Sequence, residues 1–105
     1  MKVLLDSDVI IECLRGNPRI VQGLKDLHRQ GASMACTVVS LAEIHAGIRK
    51  GEEKKVEEFF HNIATVDLDR AVGIKAGEYL REFSKSHSVE IADALIAAAA
   101  FAGKC

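Results

Sequence analysis

The sequence has no tryptophan, one tyrosine and four phenylalanines, so it offers little aromatic surface on which nucleic-acid bases could stack. It also lacks an excess of positive charge, since fourteen Lys and Arg face fifteen Asp and Glu and the formal net charge is −1. Proteins that hold nucleic acid by releasing counterions carry a basic surface. A polyanionic partner would therefore need a local basic patch or a bound cation.

Cysteine is scarce as well. Cys13, Cys36 and Cys105 are odd in number, far apart and free of any CxxC spacing, which argues against a disulfide framework and against a zinc site. The four histidines are dispersed, with no pair at a ligand spacing. No apolar run reaches membrane-spanning length, and Met1–Leu5 runs into Asp6 without the core of a signal peptide. We expect a cytoplasmic protein in a reducing compartment.

The remaining composition is that of a globular domain. Hydrophobic residues make up 49% and charged residues 28% of the 105 positions, which excludes the disordered and collagen-like classes. A chain of this size buries about 65% of the surface that it exposes when unfolded, so one core is feasible and two are not. We expect residues 1–105 to form a single domain.

Three short apolar segments alternate with helical patterns. Lys2–Leu5 is predicted as a strand buried on both faces, and Ser33–Val39 and Ala64–Leu68 as the second and third strands. Strands separated by helices predict a small parallel sheet flanked by helices, which is an α/β fold. The predicted helices are Val9–Leu14, one from Asn17-Pro18 to Gly31, one from Ser40 to Gly51, Glu52–Asn62, a long one capped by Asp69, and Ile91–Ala102.

Asp6 and Asp8 directly follow the first predicted strand. In open parallel sheets, ligands bind beyond the carboxyl ends of the strands, so these carboxylates are candidate ligands. The alternative is that Asp6, Ser7 or Asp8 only caps the following helix, as short polar side chains commonly do. The spacing of the two aspartates leaves both interpretations open.

Glu43 follows the second predicted strand by a few residues. Ser40-Leu-Ala-Glu43 has the spacing of a capping box, in which the serine and glutamate side chains satisfy backbone N–H groups at a helix start. That structural role accounts for both residues. It also leaves a carboxylate at the same edge of the sheet as Asp6.

Asp93 lies in the segment IADALIAA, which is otherwise apolar, so we expect its side chain to be buried on most sides. A buried carboxylate must be paired, neutral or bound to a cation. The alternative is again structural, because an aspartate in the first turn of a helix is stabilised by the helix dipole.

Three carboxylates at one edge would repel one another unless a divalent cation neutralised them. Oxygen ligands without histidine or thiolate favour Mg²⁺ or Mn²⁺ over zinc. Such an ion can hold a phosphate oxygen and polarise the phosphorus for attack by water. It would also supply the positive charge that the chain lacks.

The segments LLDSDVII (Leu4–Ile11), VSLAEIHAG (Val39–Gly47) and IADALIAA (Ile91–Ala98) resemble the three successive acidic motifs of PIN domains, in particular those of VapC-type toxins. The resemblance extends over essentially the whole chain. It implies a three-layer α/β/α fold and a metal-dependent endoribonuclease that is usually a homodimer and is inhibited by a VapB-type antitoxin.

The resemblance implies that Asp6, Glu43 and Asp93 bind Mg²⁺ or Mn²⁺ and carry catalysis, with Ser7, Asp8 and Ser40 as supporting polar residues. PIN domains continue beyond the alanine-rich helix into a strand and a further polar motif that carries a fourth metal-site residue, whereas this chain stops at Cys105. We therefore expect the last strand or strands to be missing and the first strand to lack a neighbour on one side.

Two other functions stay open. A PIN domain without the fourth residue could be catalytically impaired and act as an antitoxin-binding module. Asp6-Ser-Asp8 also has the DxD pattern of haloacid-dehalogenase-like phosphatases, in which Asp6 would be the nucleophile and Asp8 the general acid.

Basic residues that could guide RNA are Arg15, Arg49 and Lys50, although all three are also ordinary cations at helix ends.

Overall fold

The structure is a computed structural model that describes residues 1–87 and 90–104, with side chains described for residues 1–83 and 90–102. Cys105 lies outside the described residues. The chain alternates strands with pairs of helices, as the hydrophobic pattern predicts. In order, the elements are β1 (Lys2–Leu4), α1 (Ser7–Leu14), α2 (Pro18–Arg29), β2 (Ser33–Thr37), α3 (Val38–Ala46), α4 (Glu53–His61), β3 (Ala64–Val66), α5 (Arg70–His87), α6 (Ile91–Ala99) and a π-helical turn (Ala100–Lys104).

The three strands form one parallel sheet in the order β1-β2-β3. Val3 pairs with Met34, and Cys36 pairs with Thr65. Within the described residues, β1 therefore has a neighbour on one side only, as expected from the sequence. Being an edge strand, it leaves Val3 and Leu4 half-buried, so the prediction of a strand buried on both faces was wrong for this segment. No helix in the described part of the chain is long and apolar enough to span a membrane.

A short polar side chain caps the helix that follows each strand. Asp6 Oδ1 accepts the backbone N–H of Val9 at 2.9 Å, and Asp69 Oδ1 accepts that of Val72 at 3.0 Å. Thr37 Oγ1 accepts the backbone N–H of Ser40 at 3.4 Å. These bonds satisfy donors that a helix start would otherwise leave unpaired, which explains why each strand turns at once into a helix.

The third of these caps corrects the predicted start of α3. The helix begins at Val38 rather than at Ser40, and Thr37 is its N-cap, so β2 also ends at Thr37. Ser40 therefore lies inside the first turn, and the predicted capping box with Glu43 does not form. The spacing misled because Thr37, buried at the end of β2, offers a hydroxyl one turn earlier.

Several other boundaries differ from the prediction, among them the end of β3, at Val66 rather than Leu68, and the end of α3, at Ala46 rather than Gly51. Helix α1 begins at Ser7, two residues before the predicted start at Val9, because Asp6 caps it. Helix α6 ends at Ala99 and passes into the π-helical turn, so the predicted helix to Ala102 is only partly α-helical.

Side chains from opposite faces of the sheet enter two apolar clusters. Val3 and Leu5 pack into the first cluster, whereas Leu4, which points to the other face, packs into the second. Helices therefore cover both faces, and the molecule has three layers. The first cluster is built on Leu5, Ile10, Cys36, Ile44 and Val56; the second is built on Val72, Ala76, Ala94, Ala98 and Ala99.

The second cluster depends on small side chains. Ala94 and Ala98 of α6 lie four residues apart on one face of the helix and are almost fully buried against Val72 and Ala76 of α5. Their small volume lets the two helices approach closely. The alanine-rich segment thus packs closely against α5.

Candidate functional site

The N-terminal parts of α1 and α3 meet at a cluster of three polar side chains. The hydroxyl of Ser7 donates to Glu43 Oε1 at 2.6 Å, and the hydroxyls of Ser7 and Ser40 lie 3.0 Å apart. Ser40 is fully buried and Ser7 is 9% exposed, whereas Glu43 is exposed to solvent. A buried pair of hydroxyls therefore leads from the interior to one surface carboxylate.

The protons in this cluster have one consistent arrangement. A serine hydroxyl carries a single proton, and Ser7 directs it to the carboxylate, because a length of 2.6 Å is that of a charge-assisted O–H···O⁻ bond. Ser40 must then donate to the oxygen of Ser7. Among the described residues, no buried side-chain nitrogen or oxygen lacks a hydrogen-bond partner, so the cluster is satisfied.

Asp6 and Asp8 flank Ser7 and are both exposed. Asp6 performs the capping role that the sequence left open, through its bond to Val9 N. A carboxylate has two oxygens and about four lone-pair sites, so this bond leaves Asp6 able to accept a cation as well. Asp8 lies in the first turn of α1, where its negative charge is favoured by the helix dipole.

Asp93 is the third residue of α6 and is exposed, so the expectation of burial was wrong. Its apolar neighbours in sequence point elsewhere, because a helix places Ala94 and Ala98 on a different face from residue 93. The residue that precedes the helix, Glu90, makes no side-chain cap. The Asp93 carboxylate therefore complements the positive end of α6, a helix that packs against α3.

The carboxylates fit a hard cation by their chemistry, since Asp6, Glu43 and Asp93 offer only oxygen ligands. Within residues 1–83 and 90–102, no three His, Cys, Asp or Glu side chains lie close enough together to hold one metal ion. The structure thus joins Ser7, Ser40 and Glu43 in one network. It does not gather the three carboxylates into a ready-made cluster.

A groove of about 420 Å³ adjoins Glu43, between α1, α3 and α4. Arg15 and Arg49, two of the three basic residues singled out in the sequence, line this groove, whereas Lys50 is not among its lining residues. Lys55 also lines it, and its ammonium donates to the carbonyl of Leu14. The apolar part of the lining comes from Ile11, Leu14, Ile44, Ile48 and Val56.

Lys55 was not singled out from the sequence. It lies in a charged stretch of α4, Glu53-Lys-Lys-Val-Glu-Glu, whose alternating signs indicate a solvated face. Its position next to Val56 could have indicated its role in the sequence. The Val56 side chain is buried in the core and so fixes the orientation of α4, including that of Lys55. Three cations, Arg15, Arg49 and Lys55, consequently share the groove with Glu43 and Glu52.

Cys13 also lies near Lys55. Burial raises the pKa of the Cys13 thiol, and the positive charge of Lys55 offsets part of that rise. The thiol therefore stays protonated near neutral pH and is a weak nucleophile.

Comparison with known proteins identifies the family. The profile of the PIN domain matches residues 3–105, which is nearly the whole chain. The chain belongs to the PIN domain family. The three-layer α/β/α architecture is accordingly that of a PIN domain.

This PIN domain is similar to characterised and solved proteins. It is 32% identical over 99 residues to Ribonuclease VapC10 of Mycobacterium tuberculosis, an alignment that covers 93% of this chain and 74% of the relative. VapBC2 from Rickettsia felis, solved bound to a DNA fragment from its promoter, superposes with a TM-score of 0.81 at 22% identity and covers 100% of this chain and 84% of that one. A toxin-antitoxin complex from Klebsiella pneumoniae superposes with a TM-score of 0.80 at 15% identity, covering 99% and 81%. At these identities, the solved structures establish the fold.

Proposed function

We propose that this PIN domain is the ribonuclease toxin of a toxin–antitoxin pair and that it hydrolyses RNA phosphodiesters. The observation that carries the proposal is the anchored Glu43 carboxylate, which Ser7 holds where α1 and α3 leave the sheet. The 32% identity to Ribonuclease VapC10 supports it over 93% of the chain. Membership of the PIN domain family also favours this function over the phosphatase alternative for Asp6-Ser-Asp8.

We further propose that Asp6, Glu43 and Asp93 hold Mg²⁺ or Mn²⁺. When bound, the ion supplies Lewis acidity and positive charge to a phosphoryl oxygen of the RNA. The protein contributes orientation, because one oxygen of Asp6 is occupied by Val9 N and one oxygen of Glu43 by the Ser7 hydroxyl, which leaves the other oxygen of each for a cation. Closing the cluster requires Asp93 to approach the other two carboxylates.

Cleavage of single-stranded RNA by the purified chain, with and without Mn²⁺, tests the proposal. Asp6→Asn is the sharpest variant, because asparagine caps helices as well as aspartate does and the change removes charge with little loss of stability. We expect Asp6→Asn and Asp93→Asn each to lower kcat/KM at least about 100-fold, since even residues that only support metal ligands are worth 10–100-fold.

Asp26→Asn on α2 is the matched control, because Asp26 is neither a proposed ligand nor part of the groove lining, and it should leave cleavage unchanged. Wild-type activity that survives EDTA and both substitutions would refute a metal-dependent reaction at these carboxylates.

The groove beside Glu43 supports two further parts of the proposal, an RNA substrate and a VapB-type antitoxin. Its apolar floor would accept the apolar side chains of an inhibitory peptide, and Arg15, Arg49 and Lys55 would meet acidic side chains or RNA phosphates. If the groove guides RNA, Arg49→Glu should raise KM and leave kcat unchanged, while Lys25→Glu on α2 should change neither.

The second candidate function, a binding module without nuclease activity, rests on this same groove. It predicts that the chain binds its antitoxin but cleaves no RNA with Mg²⁺ or Mn²⁺. This alternative would be favoured if the wild-type chain cleaves no RNA and the Arg49→Glu variant no longer binds the antitoxin.

We also propose that the chain forms a homodimer. Three large apolar side chains are exposed: Ile74 on α5 (56%), Ile91 at the start of α6 (67%) and Phe101 in the π-helical turn (68%). A second copy of the chain could cover this apolar surface. Light scattering at working concentration should give twice the mass of one chain. A purely monomeric sample would contradict this part of the proposal.

A further inference from the structure

Ser7 and Ser40 are two polar residues in a buried part of the fold that is otherwise mainly apolar. Ser40 has no exposed surface and Ser7 has 9%, and both lie between helices whose other buried residues are mainly apolar. A hydroxyl in such a place destabilises the fold unless it is hydrogen-bonded. The two hydroxyls bond to each other, and the hydroxyl of Ser7 also bonds to Glu43, so the pair is linked to one carboxylate.

The hydrogen bond from Ser7 defines the orientation of the Glu43 side chain. Its side chain is exposed, and a free glutamate samples many rotamers. The bond at 2.6 Å from Ser7 selects one of them. Ser7 is in turn restrained, because its oxygen accepts the proton of Ser40 and its own proton is left to point at Oε1.

Ser40 is itself fixed by the backbone. Its N–H donates to Thr37 Oγ1, and Thr37 is fully buried at the end of β2. A chain of contacts therefore runs from the end of the central strand through Thr37, Ser40 and Ser7 to Glu43. Each step before the last is shielded from water, which strengthens its hydrogen bonds.

We propose that Ser40 and Ser7 are positioning residues that hold the Glu43 carboxylate in its working orientation, with Ser40 acting through Ser7 rather than by touching Glu43. The inference rests on the proposed ribonuclease function for its catalytic consequence. The link between the three side chains can be tested without any activity.

A double-mutant cycle measures the link. Ser7→Ala should lower the folding equilibrium constant about tenfold in the wild type, the size typical of a hydrogen bond to a charged group. In a Glu43→Met background, the carboxylate acceptor is gone but the bond between Ser7 and Ser40 remains, so the same change should cost several-fold less than in the wild type. Ser40→Ala should also be coupled to Glu43→Met, although their side chains do not touch. Equal costs in the two backgrounds would overturn the link.

Kinetics separates positioning from a general structural role. In the wild type, Ser7→Ala should lower kcat about 10- to 100-fold and Ser40→Ala about threefold to tenfold with little change in KM, because the carboxylate is misplaced while RNA still binds. Ser7→Thr restores the hydroxyl and should recover most of the activity. Ser33→Ala, an exposed serine of β2, is the matched control and should change neither constant.

A failure of the proposed ribonuclease function can be distinguished from a failure of the positioning role of the two serines. A wild type that cleaves no RNA with Mn²⁺ refutes the proposed function, and the cycle still decides whether the serines hold Glu43. An active wild type in which Ser7→Ala matches Ser33→Ala, or in which Ser7→Thr is as slow as Ser7→Ala, refutes the positioning role.

Discussion

Ile10 offers the sharpest test of how the two functional helices are held. It lies one turn after Ser7 on α1, has no exposed surface and packs with Leu5, Cys36 and Ile44. Ile10→Val removes one methylene from a close-packed site, at a cost of about 0.5–1.5 kcal/mol. In a domain of this size, each kcal/mol lowers Tm by roughly 4–8 °C. The same substitution at Ile74, which is 56% exposed on α5, should change stability by less than about 0.5 kcal/mol.

Urea denaturation followed by far-UV circular dichroism gives both values, with the m-value as a check that the unfolded state is unchanged. Both sites are helical and both residues are β-branched, so helix propensity cancels in the comparison. The difference between the two variants then reports burial alone. If Ile74→Val destabilised the chain as much as Ile10→Val, the packing described around α1 would be wrong.

The remaining predictions concern glycines and thiols. Gly77 lies inside α5 with open space where a Cβ would stand, so Gly77→Ala should stabilise the fold by about 0.4–1 kcal/mol in thermal unfolding. Gly51→Ala should instead destabilise it by about 1–2 kcal/mol, because Gly51 has a φ of +93°. Burial raises the pKa of the Cys13 and Cys36 thiols, so their contribution to stability is complete below the ordinary thiol pKa and is lost as pH rises through the raised values. Urea midpoints that rise between pH 8 and 10 would contradict this sign.

The order of strands and helices followed from the sequence because the signals are local. Short apolar runs, such as the one that ends before Asp6 and the one that precedes Asp69, can be recognised without knowing what they pack against. Strands separated by helices predict a parallel sheet, since such connections join parallel strands. The capping roles of Asp6 and Asp69 were predictable for the same reason, because a cap bonds within three residues of itself.

The start of α3 was mispredicted, although it was inferred from a capping residue in the same way as the other helix starts. Both Thr37 and Ser40 can cap a helix, and their spacing does not decide between them. The burial of Thr37 at the end of β2 decides it, because a buried hydroxyl must find a partner and the N–H of Ser40 is the one available.

The three candidate carboxylates and two of the three cations in the groove, Arg15 and Arg49, were found in the sequence, but their spatial relations were not. Nothing in the spacing of Ser7 and Glu43 indicates that they touch, because 36 residues separate them and only the packing of α1 on α3 brings them to 2.6 Å. Lys55 reaches the groove for a similar reason, since Val56 anchors α4 in the core. Asp93 is exposed because the helix turns its alanines, and not its carboxylate, toward α5.

The sequence by itself thus determined the order of the elements, the cap at Asp69 and the family, all of which depend on neighbours within a few residues or on motif order. The tertiary structure alone decided which hydroxyl holds Glu43, which cations share its groove and that the Asp93 carboxylate faces water. Those relations depend on how helices far apart in the chain pack across the sheet, and hydrogen bonds as short as these form only after that packing is complete.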